Sequence, residues 1–498
     1  MPDYYEQPAY LKELLEEPKT ETTTATTFSS STPESNEPEK SRFSQIPQRY
    51  IIIAIALLVI LVLAILLLST RKPGTGTTTT GVDPNKTVIL QWWGVFLSED
   101  AVGPLLDEYN SINPNVTIEY ADKWPLGAYD DAVGNYRSEL NRRIASTDVV
   151  ETPDIFMVNN SWAKDYINYS AAATSNVTDY NTFATTYYPV VASDFANATT
   201  QKVFGVPLWL DTYAILYNQD QLNAASVSSV PTDWTIFRNL ARTLTQKTGS
   251  TLTRGGFAAG VASNVSFATA MFNLLMVQNG VEITDASGLP IFGSQTESKS
   301  ALDFYKDFTN NTNYTWRSNA KNDSVAFLEG DVAMIFAPSY RYRDLKTTNE
   351  DLNLGLDIGV SQVPQLAGQS QALINWADYW GNMVAAKRPN TAYAWDFLNW
   401  ITQPEQLRKL DANIKADTAQ FGILFPRKDM ASENLSDPDL KVFAESLPFA
   451  QSWQMVKGIE VNGIFEELLD LGSPTANNIT QSQNEITPLV NSAGTLTQ

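Results

Sequence analysis

The sequence of 498 residues contains no cysteine and no histidine. Without cysteine, the chain cannot form disulfide bonds or thiolate metal sites, use a cysteine nucleophile, or carry a lipid on an N-terminal cysteine. Without histidine, it cannot build Ser-His-Asp triads or the usual zinc sites, and it lacks the commonest general base. Any catalysis would have to use carboxylates, lysine or tyrosine. We therefore expect no metal and no cofactor.

Basic residues are also scarce. The chain has 34 Lys and Arg against 55 Asp and Glu, so its net charge is −21 and its isoelectric point is about 4.4. An acidic chain of this kind is a poor partner for nucleic acid, and no nucleic-acid binding is predicted. Apolar residues, in contrast, make up 43% of the sequence. A chain of this length and composition exceeds one ordinary domain and can bury a sizeable core.

The N-terminal region divides into three segments. Residues 1–49 are rich in Glu, Thr, Ser and Pro and are predicted to be a disordered tail. Tyr50–Leu68 is apolar and uncharged throughout, and its helical length of roughly 28 Å would match a bilayer core of about 30 Å. A cleaved signal peptide is the alternative, but the run is too long and too far from the terminus. The sequence thus predicts a transmembrane helix at 50–69 and a Gly/Thr/Pro linker at 70–85.

The orientation of this span is predicted from the size of the flanking parts, because basic residues flank both of its ends. A short tail followed by a large domain suits a cytoplasmic N-terminus. The protein is then a single-pass cell-membrane protein whose large domain is extracellular. The glycosylation motifs at Asn115, Asn176 and Asn197 are compatible with an extracellular location, although a high content of Asn, Ser and Thr also produces such motifs.

From residue 86 onward, strand-like and helix-like segments alternate. The first five are Thr87–Trp93, Ser98–Ile112 with Ser98 as a possible N-cap, Asn115–Tyr120, Asp130–Ala145 and Asp154–Val158. Strands separated by helices predict a parallel or mixed sheet with helices on both faces. Ligands bind such sheets at the loops beyond the carboxyl ends of the strands. Two of these loops carry Trp93, Asn160 and Trp162, which we therefore take as candidate ligand-binding residues.

The segment Val203–Asn218, VFGVPLWLDTYAILYN, is predicted to be one buried strand. On a single strand, Trp209, Asp211 and Tyr213 would point to the same face. An aromatic ring, a carboxylate and a phenol on one face suit a ligand with many hydroxyl groups. The alternative is a plain core strand with one isolated carboxylate, which would have to be hydrogen-bonded or paired.

A second set of elements follows this segment. Thr232–Gln246 is predicted to be a helix that Thr232 or Asp233 caps. Val332–Ala337 is a predicted strand that leads into Tyr340, and Ile374–Ala385, INWADYWGNMVA, again combines aromatic residues with a carboxylate.

The order of the motifs FGVPLWLDTYAILYN, PTDWTIFRNLARTLT, LMVQNGVEI, ALDFYKDF, FLEGDVAMIFAPSY, AWDFLNWITQPEQ and FPRKD resembles the extracellular solute-binding proteins of family 1, the maltose-binding-protein group of ABC-importer sugar receptors. The resemblance covers about residues 86–492. It implies an α/β periplasmic-binding-protein fold of type II, with two lobes around a cleft and crossovers near 210–212, 375–382 and 426. Lobe 1 would comprise 86–209 and 383–426, and lobe 2 would comprise 210–382 and 427–498. The chain departs from the family in its tether, a predicted span in place of a lipid-modified cysteine.

The function that the resemblance implies is capture of a sugar or oligosaccharide by hinge closure and its delivery to ABC permease subunits, by a protein that is not an enzyme and is expected to be a monomer. Sugars present hydroxyl groups and apolar C–H faces, so their sites combine aromatic rings with Asp and Asn side chains. Asp378 is a weaker polar candidate. The predicted ligand-binding residues are Trp93, Asn160, Trp162, Trp209, Asp211, Tyr340, Trp376 and Tyr379.

Several alternatives stay open at this point. Each aromatic residue of the predicted site could instead be packed in the core, because Trp is often largely buried. A membrane-anchored glycoside hydrolase would use a similar aromatic cleft with two carboxylates about 5–10 Å apart, but Asp211 is the only well-placed carboxylate. A ligand sensor or adhesin would need a separate signalling partner, since the tail holds no folded domain.

Overall fold

The structure is a computed structural model of the chain and describes residues 82–123, 129–309, 312–366, 373–418 and 421–496. The predicted tail, the predicted span at 50–69 and most of the predicted linker lie outside the described residues. Among the residues that the structure describes, no helix is both long and apolar enough to cross a membrane.

Fourteen strands are present in the described residues. In chain order they are β1 Val88–Gly94, β2 Val116–Asp122, β3 Ile155–Asn159, β4 Ala196–Asn197, β5 Lys202–Val203, β6 Gly205–Pro207, β7 Tyr213–Asn218, β8 Gln246–Thr248, β9 Thr251–Arg254, β10 Met334–Pro338, β11 Ile358–Gln362, β12 Asn375–Trp376, β13 Trp380–Val384 and β14 Ala450–Gln451.

The α-helices of the same part of the chain are α1 Glu99–Ile112, α2 Tyr129–Ala145, α3 Ala163–Tyr166, α4 Tyr180–Thr186, α5 Pro189–Phe195, α6 Gln219–Ala224, α7 Trp234–Leu244, α8 Ala268–Gln278, α9 Thr296–Lys306, α10 Asp323–Leu328, α11 Ser339–Asp351, α12 Thr391–Ile401, α13 Pro404–Thr418, α14 Ala431–Ser436, α15 Lys441–Ala444, α16 Gly458–Asp470 and α17 Ala476–Asn491.

Local sequence signals explain where several helices begin. The Ser98 hydroxyl accepts a hydrogen bond from the Ala101 N–H and caps α1. The Asp233 carboxylate accepts from the N–H groups of Thr235 and Ile236 and caps α7. A side-chain oxygen at this position satisfies backbone donors that have no partner within the helix. Both predicted N-caps are confirmed.

Two sheets form the centres of two lobes. Lobe 1 contains a five-stranded sheet of order β2-β1-β3-β13-β6, in which β1 runs parallel to β2 and β3 while β13 runs antiparallel to β3 and β6. Lobe 2 contains a three-stranded antiparallel sheet of order β10-β7-β11. The mixed α/β architecture expected from the alternation of elements is confirmed. The residue limits predicted for the lobes stay a prediction.

The prediction of one strand over Val203–Asn218 is wrong. Strand β6 ends at Pro207 and belongs to the lobe 1 sheet, whereas β7 begins at Tyr213 and lies at the centre of the lobe 2 sheet. Pro207 has no N–H to continue the ladder. The residues between the strands cross from one lobe to the other, so the alternation of faces does not extend from Trp209 and Asp211 to Tyr213.

Three chain segments connect the lobes side by side. The first, between β6 and β7, pairs with the other two: Leu210 forms a β-bridge with Leu424, and Thr212 forms one with Ala377. The segment around Ala377 leads from β11 back to β13, and the segment around Leu424 leads from α13 to α14. Buried hydrophobic residues continue through all three crossings. The lobes are therefore joined by three adjacent segments, with the first β-bridged to each of the other two.

The C-terminal helices pack on lobe 2. Phe465 of α16 lies 5.7 Å from Phe272 of α8 and 5.5 Å from Phe292, measured between ring centroids. Helix α17 packs against the 3-10 turn Phe292–Ser294. The start of α16, however, also contacts lobe 1.

Candidate ligand site between the two lobes

The candidate site lies where strand ends of both lobes meet the second crossing. The Asn159 amide, at the end of β3, donates to Asp378 Oδ1 over 2.7 Å, and the Tyr213 hydroxyl, at the start of β7, donates to Asp378 Oδ2 over 3.2 Å. Burial raises the pKa of Asp378, while these two hydrogen bonds lower it. Asp378 thus connects lobe 1, lobe 2 and the crossing between them. It is half-buried, so part of its surface faces solvent.

Aromatic rings of lobe 2 continue from this point. The Tyr213 ring stacks on Phe336 at 4.5 Å and lies edge-on to Phe267 at 5.6 Å. Phe267 in turn lies edge-on to Tyr340 at 6.1 Å. Phe267 and Tyr340 are only half-buried, whereas Tyr213 and Phe336 are buried. We call Tyr213, Phe267, Phe336 and Tyr340 the aromatic wall of lobe 2.

Asp211 holds this wall in place through the start of α11. Its carboxylate accepts hydrogen bonds from the Ser339 N–H at 3.1 Å, the Ser339 hydroxyl at 2.9 Å, the Tyr340 N–H at 3.3 Å and the Thr212 N–H at 2.8 Å. Burial raises the pKa of Asp211 to about 7, and the hydrogen bonds from Ser339 act in the opposite direction. The carboxylate is 4% exposed and occupied by protein donors. Its observed role is to cap a helix and position Tyr340.

Asn160 and Tyr379 meet at a second buried carboxylate, Asp194 of α5. The Asn160 amide donates to Asp194 Oδ2 at 3.0 Å and the Tyr379 hydroxyl donates to it at 2.8 Å. Asp194 Oδ1 accepts from the Ser452 hydroxyl at 2.6 Å and the Gln454 amide at 3.1 Å. Burial raises the pKa of Asp194 to about 6, against the effect of these four hydrogen bonds. Asp194 therefore joins lobe 1, the second crossing and the segment that leads to α16.

Trp162 lies at the contact between lobe 1 and the start of α16. Its ring is edge-on to Trp380 at 5.2 Å, and the Arg137 guanidinium lies 4.9 Å from its centroid. A Cβ atom added to Gly458 would lie 2.2 Å from Trp162 Nε1. Glycine is therefore required at position 458 for the ring to pack this closely against the helix.

Buried charges reinforce the same contact. Lys457 Nζ lies 2.8 Å from Asp165 Oδ2 and donates to the Thr495 carbonyl at 2.7 Å. The Arg137 guanidinium lies 3.5 Å from Asp165 and 2.7 Å from Glu460. The side chains of Asp165, Lys457 and Arg137 are 0%, 4% and 5% exposed. We call this group of four charges the interlobe ion cluster, because Asp165 and Arg137 precede the first crossing and Lys457 and Glu460 follow the third.

The remaining predicted residues lie in different environments. Trp93 is buried, with Lys123 Nζ 4.3 Å above its ring. Trp376 is buried on β12, which pairs with β14, and Trp209 is half-buried in the first crossing. Six of the eight predicted residues are buried, the exceptions being Trp209 and Tyr340. The six buried side chains are withdrawn from solvent in this structure.

Sequence reasoning missed three residues that the structure brings to the same region. The predicted set contains Asn160 but not its neighbour Asn159, and it does not contain Phe267. Phe96, in the loop after β1, has a left-handed φ of 63° and lies edge-on to Trp380 at 5.3 Å. A bulky residue in that backbone region is uncommon and marks a constrained loop. The position of Phe96 just past the end of β1 was the signal that could have identified it.

Comparison with known proteins identifies the family. The model of the family described as "Bacterial extracellular solute-binding protein" matches residues 105–420, more than half of the chain. A search of curated proteins finds no match.

Solved structures share the fold at low sequence identity. They include the sugar-binding protein MalE from Xanthomonas citri (15% identity, TM-score 0.63, 81% of this chain and 98% of that one). A second is the cyclic alpha-maltosyl-1,6-maltose binding protein from Arthrobacter globiformis (16% identity, TM-score 0.62, 82% and 98%). A third is UgpB from Mycobacterium tuberculosis in complex with glycerophosphocholine (17% identity, TM-score 0.62, 81% and 98%). The match to the family model shows that the chain belongs to the bacterial extracellular solute-binding proteins, as its motifs indicated.

Proposed function

We propose that the protein is a membrane-tethered extracellular receptor that captures a carbohydrate by closure of its two lobes and delivers it to an ABC importer. The observation that carries the proposal is the meeting of the aromatic wall of lobe 2 with Asp378 at the crossing. Aromatic faces pack against the C–H faces of sugars, and a carboxylate accepts hydrogen bonds from their hydroxyl groups. The sugar-binding relatives of the same fold support this ligand class.

The proposed contacts with the ligand divide into two kinds. Phe267 and Tyr340 are the stacking surface, while Asp378 and Asn159 are the polar anchors. Trp162 stays a predicted contact, because its ring packs against Trp380 and the start of α16. Asp211, Asn160 and Tyr379 act through their neighbours, because protein groups already occupy their polar atoms. Trp93, Trp209 and Trp376 stay predicted contacts.

The proposed domain organisation follows the sequence. A cytoplasmic tail at 1–49, a span at 50–69 and a linker at 70–85 precede a monomeric receptor. Lobe 1 would comprise 86–209 and 383–426, and lobe 2 would comprise 210–382 and 427–498. The Thr-rich linker lets the receptor stand off the membrane and reach its permease.

Closure needs no covalent chemistry. A ligand that contacts both lobes stabilises the closed state by the difference between its affinities for the closed and open states. Relatives of the fold are named as binding proteins, and we propose that the ligand leaves unaltered.

A thermal-shift screen of residues 82–498 tests the proposal. The panel contains mono- and oligosaccharides together with glycerophosphocholine as the non-sugar control. A ligand at 100 times its Kd stabilises the folded state by about 2.7 kcal/mol, which raises the melting temperature. We expect at least one sugar to do so and to be recovered intact by mass spectrometry. Stabilisation by glycerophosphocholine alone would contradict the carbohydrate assignment, and shortened oligosaccharides would favour a hydrolase.

A further inference from the structure

The chain carries more N-glycosylation motifs than its composition supplies. Of its 37 Asn residues, 12 are followed at the second position by Ser or Thr without an intervening Pro. Because Ser and Thr together number 85 among 498 residues, about six such motifs would occur by chance (37 × 85/498). All 12 follow the predicted span. They are Asn85, Asn115, Asn159, Asn168, Asn176, Asn197, Asn264, Asn310, Asn313, Asn322, Asn434 and Asn478.

Two motifs are excluded as glycosylation sites because their Asn side chains are buried and hydrogen-bonded to backbone groups. Asn434 is 2% exposed; its amide donates to the Phe425 carbonyl and its Oδ1 accepts from the Phe425 N–H. Asn264 is 8% exposed, and its amide donates to the carbonyls of Arg317 and Ala320. A glycan on either Nδ2 atom would have to occupy the core, so a chain modified there could not adopt this fold.

Five more motifs are engaged in local structure. Asn159 binds Asp378, Asn322 caps α10, and Asn478 belongs to the capping box of α17. Asn168 and Asn313 are exposed, but the hydroxyl residues of their motifs, Ser170 and Thr315, are 8% and 0% exposed. In these two motifs the Asn is accessible at the surface of the folded chain but the hydroxyl residue is not. Asn310 lies outside the described residues.

Four motifs, at Asn85, Asn115, Asn176 and Asn197, combine an exposed Asn with an accessible Thr. Their Asn side chains are all exposed. Their hydroxyl residues Thr87, Thr117 and Thr199 are exposed and Thr178 is half-buried.

All four motifs lie at turns of lobe 1. Asn85 precedes β1, Asn115 lies between α1 and β2, Asn176 lies in the turn before α4, and Asn197 ends β4 in the β4–β5 hairpin. Glycosylated Asn residues are surface residues of exported proteins. None of the four belongs to the candidate ligand site.

The amide geometry at two of these positions is compatible with attachment. At Asn197 the Oδ1 atom accepts from the Thr200 N–H at 2.9 Å, which holds the side chain through the atom that does not react. At Asn115 the Nδ2 atom donates to the Pro84 carbonyl at 2.7 Å. A glycosylated amide keeps one N–H, so this hydrogen bond can persist after modification.

We propose that Asn85, Asn115, Asn176 and Asn197 carry N-linked glycans. The donor is a lipid-linked phosphorylated oligosaccharide, and the catalyst is a membrane oligosaccharyltransferase on the extracellular side. The bond between sugar C1 and the phosphate oxygen breaks, and the lipid phosphate leaves with the electron pair. The bond between C1 and Asn Nδ2 forms, and Nδ2 loses one proton, so nothing is oxidised or reduced. The modification requires only that the domain is exported, as in its family, and is independent of the ligand.

Glycopeptide mapping of the full chain, isolated from the membranes of the organism that encodes it, tests this proposal. We expect an intact mass above the 55.1 kDa of the polypeptide and glycan on the peptides containing the four Asn residues. The peptides containing Asn264 and Asn434 should be unmodified. An intact mass equal to that of the polypeptide, or glycan on Asn264 or Asn434, would overturn the proposal.

Matched substitutions separate glycosylation from side-chain effects. Asn197→Gln and Thr199→Ala should each remove the mass of one glycan, because both destroy the motif. Thr199→Ser keeps the motif and should keep the glycan. If Thr199→Ala retained the modification, the motif would not direct it and the proposal would fail. Sugar binding by these variants should match wild type, so failure of the carbohydrate assignment would be detected separately.

Discussion

Removal of the Lys457 amino group should destabilise the fold far more than removal of an exposed lysine. In Lys457→Met the side chain keeps its approximate length but loses the ion pair with Asp165 and the hydrogen bond to the Thr495 carbonyl. Asp165, which is 0% exposed, would then keep only Arg137 at 3.5 Å and the Gly494 N–H at 3.1 Å. A buried carboxylate would be left partly uncompensated.

The expected cost follows from that environment. Breaking a buried ion pair by removing one partner costs about 3–5 kcal/mol, because the remaining charge stays desolvated. Arg137 still faces Asp165, so we expect a loss near the lower end, about 3 kcal/mol in the free energy of unfolding. The pair also joins lobe 1 to the segment that begins α16. Each 1.4 kcal/mol of closed-state stabilisation lost would weaken ligand binding about tenfold.

Urea unfolding followed by circular dichroism measures the first quantity, and ligand titration measures the second. Lys409→Met is the matched control, since Lys409 is 39% exposed and pairs with Glu108 at the surface, where such pairs contribute about 0–1 kcal/mol. The double variant Lys457→Met with Asp165→Leu removes both charges and should recover part of the loss. A Lys457→Met variant as stable as Lys409→Met would refute the assignment of a buried ion cluster.

Three further predictions concern pH, the aromatic wall and metals. Folding raises the pKa of Asp194 to about 6, so the folded state binds its proton more tightly than the unfolded state does. The contribution of Asp194 to stability is therefore greatest below its ordinary pKa of 3.8 and declines as the pH rises to about 6. In urea unfolding between pH 4 and pH 8, the free energy of unfolding should decline less in the Asp194→Asn variant than in the wild type. Equal declines in the two proteins would contradict this prediction. Phe267→Ala should weaken sugar binding by about 1 kcal/mol in a fluorescence titration, with exposed Phe449→Ala as the unchanged control; an effect of the same size in both would remove Phe267 from the site. EDTA should leave sugar binding unchanged, because the chain has no His or Cys ligands, and lost binding would reveal a cation held by carboxylates.

Much of the fold could be predicted because it rests on local signals. The N-caps at Ser98 and Asp233 depend on residues within three positions of the helix start. The alternation of strands and helices at the start of the folded chain predicted a parallel or mixed sheet, and the lobe 1 sheet is mixed. The end of β3 contacts Asp378 through Asn159, and the role of the loops after β1 and β3 in ligand binding stays a prediction.

The first crossing could not be predicted in the same way. Leu208, Leu210 and Thr212 are as buried as the strand residues that flank them. A buried crossing and a buried strand therefore show the same apolar pattern, and periodicity does not distinguish them. The assignment of one face to Trp209, Asp211 and Tyr213 failed for this reason.

The partners of the buried carboxylates also depend on distant parts of the chain. The Asp211 carboxylate accepts a hydrogen bond from the Ser339 hydroxyl, 128 residues away. The Asp194 carboxylate accepts hydrogen bonds from Asn160, Tyr379, Ser452 and Gln454. Nothing near Asp194 in sequence indicates that these four donors converge on it. A sequence can identify polar residues that suit a ligand, but it does not show which of them the protein itself occupies.

The missing side chain at Gly458 has a consequence for engineering the receptor. The Cβ atom of any replacement would lie 2.2 Å from Trp162 Nε1 and 2.9 Å from Ser161 Oγ. Both distances are shorter than a van der Waals contact. Trp162 has little room to retreat, since Trp380 and Arg137 pack around it. The methyl group of alanine at this position would therefore push the start of α16 away from Trp162 of lobe 1. Successively larger residues there would displace Trp162 and the start of α16 progressively further from each other.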